Sequence, residues 1–323
     1  MTWLITGGAG YIGADVVKLL ADRGDDVVVF DDLSTGSPDT IGDTRLVVGD
    51  VADTALLART MRDHGVRSVI HFAAKKQVGE SVANPLLYYR ENVGGFESVL
   101  RAMTETGVDT MVFSSSAAAY GVPVGTAPLP EDAELAPASP YGYTKVVCEQ
   151  MLADAAHAHD LHYTILRYFN VAGAASDELG DRAVLNLIPL VFQAMSQDRP
   201  PTVFGTDYPT PDGTCIRDYV HVADLAAAHL AAYDGMQAGH DRQVFNVGTG
   251  TGHSVLEVVS CVEAVTGVEL HPVLADRRPG DPACTVASVA KIRDALGWQS
   301  RHDLQSMVAS AWSAFSRRRA LLG

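Results

Sequence analysis

The sequence is poor in the residues that mark several common function classes. It holds four cysteines in 323 residues, Cys148, Cys215, Cys261 and Cys284, widely spaced and without a Cys-x-x-Cys pair. That spacing argues against a disulfide framework or a metal site and leaves buried, reduced thiols as the expectation. Basic groups are scarce too: 24 against 39 acidic residues, a net charge of −15, with lysine only at Lys18, Lys75, Lys76, Lys145 and Lys291. So acidic a chain is not expected to take nucleic acid or an anionic membrane as a partner. No apolar run is long enough to span a bilayer. A glycine-rich turn opens six residues into the chain, leaving no room for the apolar core of a signal peptide, so a cytoplasmic protein is expected.

What is present is a strong alternation. The length allows one large or two modest domains with a sizeable core, and a hydrophobic fraction of 47% is ordinary for a globular chain. Short apolar runs at 3–6, 26–30, 45–48, 68–72, 110–115 and 163–169 read as strands. Helical patterns at 12–23, 53–64 and 91–106 lie between them, with Gly24, Gly65 and Gly107 placed where helix-ending glycines belong. The pattern predicts an α/β fold with a parallel sheet wrapped by helices. Beyond residue 170 the order loosens. Pro- and Gly-rich stretches at 198–214 and 275–283 interrupt helical patterns at 222–235, 254–266 and 303–319 and a strand at 243–248. The expected layout is a dinucleotide-type domain over 1–170 and a smaller domain over 171–323, with some later elements folding back onto the sheet.

Three stretches carry chemistry. "TGGAGYIG" (6–13) follows the first strand and opens the first helix, so Gly7, Gly10 and Gly13 permit a tight turn and close approach of backbone to a pyrophosphate. Asp31 ends the second strand, where a carboxylate can bind ribose hydroxyls and repel a 2′-phosphate, favouring NAD over NADP. "SPYGYTK" (139–145) places Tyr141 one helical turn before Lys145, with Ser139 as cap and Pro140 in the first turn. Chance supplies about 0.17 such Tyr-x-x-x-Lys pairs in a chain of this composition, so the setting rather than the pair is informative. A neighbouring ammonium is expected to lower the tyrosine towards working pH. "FSSSAAAYG" (113–121) ends a strand at the carboxyl edge, with one serine able to bind a substrate hydroxyl and at least one serving as a cap.

Together with "HFAAKKQVGES" (71–81), "LRYFNVAGA" (166–174), "FGTDYPTPDGTCIRDYVHVADLA" (204–226) and "RRPGD" (277–281), these stretches resemble the extended short-chain dehydrogenase/reductase family. Within it they resemble the UDP-glucose (UDP-galactose) 4-epimerases, over residues 2 to about 291. The resemblance implies a doubly wound parallel Rossmann-type sheet with a smaller C-terminal substrate domain, bound NAD, a UDP-sugar substrate and a homodimer. It implies that Tyr141 is the acid–base catalyst, Lys145 its tuner and a nicotinamide-ribose ligand, and Ser116 the serine at the sugar O4. Cofactor contacts would come from Tyr11, Ile12, Asp31, Asp32, Leu33, Ser34, Thr35, Gly36, Asp50, Val51, Phe72, Ala73, Ala74, Lys76, Asn92 and Phe169, besides the glycine turn. Substrate contacts would come from Lys76, Asn170, Asn186, Leu187, Thr202, Phe204, Arg217, Arg278 and Asp281, with the arginines on the pyrophosphate. Forked arginine hydrogen bonds suit a doubly charged pyrophosphate in an otherwise acidic chain. Thr285 is small at the position that gates the sugar's 2-substituent, so N-acetylated sugars are a further candidate. A dehydratase would need an acidic pair where Ala117 and Ala118 stand. A 4-epimerase of another UDP-sugar (a UDP-N-acetylhexosamine, UDP-pentose or UDP-uronate) stays open, and a non-catalytic NAD-binding regulator is disfavoured by the intact Ser116, Tyr141 and Lys145.

Overall fold

The computed structural model describes residues 1–278 and 280–322. Pro279, within "RRPGD" (277–281), lies outside them.

Six strands follow the sequence runs closely: β1 (Thr2–Thr6), β2 (Asp26–Asp31), β3 (Arg45–Val48), β4 (Ser68–His71), β5 (Thr110–Ser116) and β6 (His162–Tyr168). The helices are α1 (Tyr11–Asp22), α2 (Thr54–Asp63), α3 (Val78–Ala83), α4 (Pro85–Tyr88), α5 (Gly95–Thr106) and α6 (Pro140–His159). Further along come β7 (Asn170–Ala172), α7 (Leu187–Ser196), β8 (Thr202–Phe204), β9 (Ile216–His221), α8 (Val222–Gln237) and β10 (Gln243–Val247). The chain closes with β11 (Gly252–Ser254), α9 (Val255–Thr266), β12 (Val273–Ala275), β13 (Cys284–Thr285), α10 (Ala290–Leu296) and α11 (Leu304–Leu322).

Seven parallel strands form the main sheet in the order β10-β6-β5-β4-β1-β2-β3. The strands are apolar on both faces because both faces are covered. Trp3, Ile5, Val27, Val29, Ile70 and Val112 point towards α1 and α8, where they meet Val16, Val17, Leu20, Leu225 and Ala228. Their neighbours Leu4, Val28, Phe30, Val69, Met111 and Phe113 point the other way, onto Leu57, Met61, Phe96, Val99, Met103 and Leu152 of α2, α5 and α6. The period-2 alternation of side chains thus splits each apolar run into two separate cores. Strand order reverses between β1 and β4, and the crevice at such a reversal is where ligands bind in sheets of this kind.

Residues 222–247 return to the sheet as α8 and β10. The rest of the C-terminal half builds its own core from α7, α9 and α11 around Phe192, Val258, Val262 and Met307. Two small sheets join it: β11-β9-β13 with β7 also on β9, and β12 beside β8. The strand over 216–221 and the helix over 187–196 have no clear sequence signal. Asp218 sits in the middle of that strand, where acids are disfavoured. It is accommodated because its carboxylate accepts from the amides of Thr249, Gly250 and Ala287 and from the Thr249 hydroxyl.

Candidate active site

The carboxyl ends of β1, β2, β4, β5 and β6 open onto one cleft of about 690 Å³, within the usual size of a cofactor or ligand site. At its floor the glycine turn is shaped by contact. Gly7 has φ +71, and a Cβ there would stand 2.7 Å from the amide nitrogen of Ala73. A side chain at Gly13 would collide with the Gly7 carbonyl. Gly10 caps α1 with no side chain on the first-turn amides, so these donors and the positive end of the helix face the cleft. Asp31 is buried, and its carboxylate accepts from Ala9 N at 3.0 Å and Leu33 N at 2.8 Å. Burial pushes its carboxyl above the ordinary value, against the pull of those two amides. The donor-lined turn and the acid beside it fit a dinucleotide's pyrophosphate and ribose.

The opposite wall carries Ser116, Tyr141 and Lys145. Ser139 caps α6 by accepting from Gly142 N at 3.2 Å, and Gly142 lies flat against Ala118 beyond β5, which brings Tyr141 next to Ser116. The three serines of β5 separate by side. The Ser114 hydroxyl bonds His229 Nε2 at 2.7 Å beneath α8, and Ser115 donates to Glu149 of α6. Of the three, Ser116 borders the cleft, and it also accepts from Ala118 N at 3.2 Å.

The protein's own groups do not by themselves produce the lowering of the Tyr141 phenol that the Tyr-x-x-x-Lys spacing leads one to expect. Burial pushes Tyr141 above the ordinary tyrosine value, opposed by the Ser116 hydroxyl. Lys145 is engaged elsewhere: its ammonium donates to the Ser114 carbonyl at 2.8 Å and lies 5.0 Å from the Phe113 ring centre. Burial brings Lys145 itself down to about 8, with Cys148 and Glu149 pulling the other way. Desolvation outweighs the pairwise attraction, and the protein's own groups leave Tyr141 protonated at neutral pH.

The cleft also collects Tyr11, Ile12, Asp32, Ser34, Thr35, Asp50, Val51, Phe72, Ala73, Ala74, Lys76, Phe169, Asn170, Asn186, Arg217, Asp281 and Thr285. At its outer end Asp281 bridges two arginines, 3.7 Å from Arg217 Nη2 and 2.9 Å from Arg278 Nε. Other expected contacts stand off the wall. Leu33 turns through φ +61 and packs on the core, and Gly36 lies against Ala9. The Asn92 side chain is spent on Lys75 N, Lys75 O and the Thr144 hydroxyl. Leu187 borders a small adjoining cavity with Tyr11 and Asn186. Thr202 and Phe204 lie on β8, with exposed Arg278 stacked 5.0 Å above the Phe204 ring.

Sequence reasoning missed Arg277, which fastens the 277–278 segment to the 204–208 loop by bonding Asp207 at 2.6 Å and covering Tyr208 at 4.1 Å. A pair of adjacent arginines was the available signal. It also missed the buried Glu149–Arg167 pair beneath Ser115.

Comparison with known proteins agrees with this geometry. The family model described as "NAD dependent epimerase/dehydratase family" matches residues 3–248. A UDP-glucose 4-epimerase of Azospirillum brasilense is 48% identical over 316 residues, covering 96% of this chain and 90% of the relative. A UDP-glucose-4-epimerase structure from Stenotrophomonas maltophila, with bound NAD and formylated UDP-arabinopyranose, is 40% identical with a TM-score of 0.94, covering 99% of each chain. A UDP-glucose 4-epimerase from Brucella ovis in complex with NAD is 42% identical with a TM-score of 0.92, covering 96% of this chain and 97% of that one. The chain belongs to the NAD dependent epimerase/dehydratase family.

Proposed function

We propose that this protein interconverts UDP-galactose and UDP-glucose, with Tyr141 moving the proton of the sugar's 4-hydroxyl. The observation that carries this reading is the sharing of one cleft by the glycine turn, the Ser116–Tyr141–Lys145 wall and the Arg217–Asp281 pair. NAD, when bound there, supplies a hydride acceptor and donor for sugar C4. The amides after Gly10, together with Asp31, Asp32, Ser34 and Thr35, would hold its pyrophosphate and adenosine half. Asp50 and Val51 would border the adenine, and Phe72 to Ala74, Lys76, Lys145 and Phe169 the nicotinamide half. Asn92 supports that half indirectly, by fixing Lys75.

Tyr141 as phenolate takes the 4-hydroxyl proton and later returns it, a positioned acid–base step. Ser116 orients that hydroxyl. Arg217, Arg278 and Asp281 hold the nucleotide, with Asn170, Asn186, Leu187, Thr202 and Phe204 along its length. Strong binding of the unreactive UDP and loose binding of the sugar allow the 4-keto sugar to turn its other face without leaving. Residues 1–170 would then carry chiefly the cofactor and 171–323 chiefly the nucleotide-sugar, with α8 and β10 lent back to the sheet. We place the enzyme in the cytoplasm, as its free cysteines suit. Among the described residues no helix is long and apolar enough to cross a membrane.

A homodimer is part of this reading. Leu86, Tyr143 and Val147 are apolar yet exposed, on the neighbouring helices α4 and α6, and a second copy would cover them.

The test is conversion of UDP-galactose by purified protein without added NAD, followed by chromatography, and then the same with UDP-N-acetylgalactosamine. Formation of UDP-glucose supports the reading, and failure even with NAD supplied contradicts it. Thr285, small and with its hydroxyl without a partner among the described residues, makes the second substrate informative about pocket width.

A further inference from the structure

Tyr141 has a neighbour that no motif singles out. Tyr88, the last residue of α4, is fully buried and sets its ring against that of Tyr141, with centroids 6.5 Å apart and planes at 80°. Its hydroxyl is used twice, donating to Glu80 Oε2 at 2.8 Å and accepting from Gln77 N at 2.9 Å. Gln77 and Glu80 border the cleft. Burial and the Glu80 carboxylate hold the Tyr88 phenol far above the ordinary value, so it keeps its proton, on the bond to Glu80.

The local chain needs such a fastening. α3 has six residues and α4 four, too few for either to stand without tertiary support. The chain then passes through a wide π turn at Tyr89–Gly94, a feature often found at functional sites. Asn92 in that turn bonds the Lys75 backbone and the Thr144 hydroxyl, and Thr144 in turn donates to the Tyr141 carbonyl at 2.7 Å. Tyr141 is therefore held from its ring by Tyr88 and from its backbone by the π turn, and both holds anchor the 75–80 wall of the cleft.

We propose, resting on the reading of Tyr141 as the proton carrier, that Tyr88 is a positioning residue for the epimerisation. Its ring fixes the direction of the Tyr141 phenol, and its hydroxyl fixes the Gln77–Glu80 wall that faces the sugar. The two jobs are separable by substitution. Loss of the ring lets the phenol drift, and a drift of about 1 Å costs about 10²-fold in rate. Loss of the hydroxyl alone frees the wall and is felt in substrate binding.

The experiment compares Tyr88→Leu, Tyr88→Phe and Tyr141→Phe with the wild type. For each it measures circular dichroism, NAD released per chain on denaturation, and kcat and KM for UDP-galactose. The expected result for Y88L is a kcat lower by about 10²-fold at unchanged NAD content. For Y88F it is a KM raised roughly 3- to 10-fold, the worth of one hydrogen bond, with kcat nearly kept. Wild-type kcat in Y88L, or a loss that only tracks lost NAD, overturns the proposal. Should Y88L fail to fold, Y88F decides: wild-type KM there overturns it and a raised KM at full NAD content supports it. If Y141F retains wild-type turnover, the catalytic reading itself falls and takes the role of Tyr88 with it.

Discussion

Tyr141 and Asp15 both show that a single buried group answers to its surroundings more than to its sequence neighbours. The Tyr-x-x-x-Lys spacing placed Tyr141 and Lys145 on one helix face, as observed, but it carried no information about desolvation. In the fold, burial raises the tyrosine and lowers the lysine to about 8. The phenolate needs positive charge beyond Lys145, and the oxidised nicotinamide carries one. Ultraviolet titration of NAD-loaded against NAD-stripped protein should show one phenol ionising at lower pH in the loaded form, absent in Tyr141→Phe. Identical titrations of the two forms would contradict this.

Asp15 is the other case. It is buried in α1 with neither carboxylate oxygen bonded among the described residues, and burial raises it to about 7. The folded state therefore binds a proton that the unfolded chain has released, so stability falls as pH rises from about 4 to about 7 and stays lowered above that. Asp15→Asn should raise the denaturation midpoint above about pH 7 and leave it unchanged near pH 4. An equal effect at both pH values would rule out the ionisation as the cause.

At the scale of elements, α6 joins chemistry to packing. Its start was legible in Ser139 and Pro140, because capping is local. Its middle was not, because Glu149 finds its partner on another strand. Arg167 of β6 donates to Glu149 from Nε at 3.0 Å and from Nη2 at 2.6 Å, and its other nitrogen reaches the Tyr120 hydroxyl at 3.1 Å and the Glu131 carbonyl at 2.9 Å. Breaking such a pair leaves one buried charge alone, so Arg167→Met should destabilise by about 3–5 kcal/mol in urea unfolding. A change below about 1 kcal/mol would mean the carboxylate readily finds other donors. The strand over 216–221 was hidden for the same reason: the four bonds that settle Asp218 come from residues 249, 250 and 287, far along the chain.

For the whole molecule, the parallel sheet was legible because strands buried on both faces are nearly uniform apolar runs. That some later elements return to the sheet was expected, but not that they are α8 and β10, since no local pattern tells which sheet a late strand joins. Assembly belongs at this scale too. If the apolar face on α4 and α6 meets a second copy, Leu86→Asp should convert a dimer to a monomer in light scattering, and a wild-type protein that is already monomeric would remove the idea. The central claim is that C4 inverts by oxidation and return of the same hydrogen, with Tyr141 handling only the hydroxyl proton. The most direct measurement runs the conversion of UDP-galactose in deuterated water and examines the product by mass spectrometry. The account predicts no deuterium on carbon in the UDP-glucose formed. Deuterium at C4 would contradict it, because C4 would then have exchanged a proton with solvent.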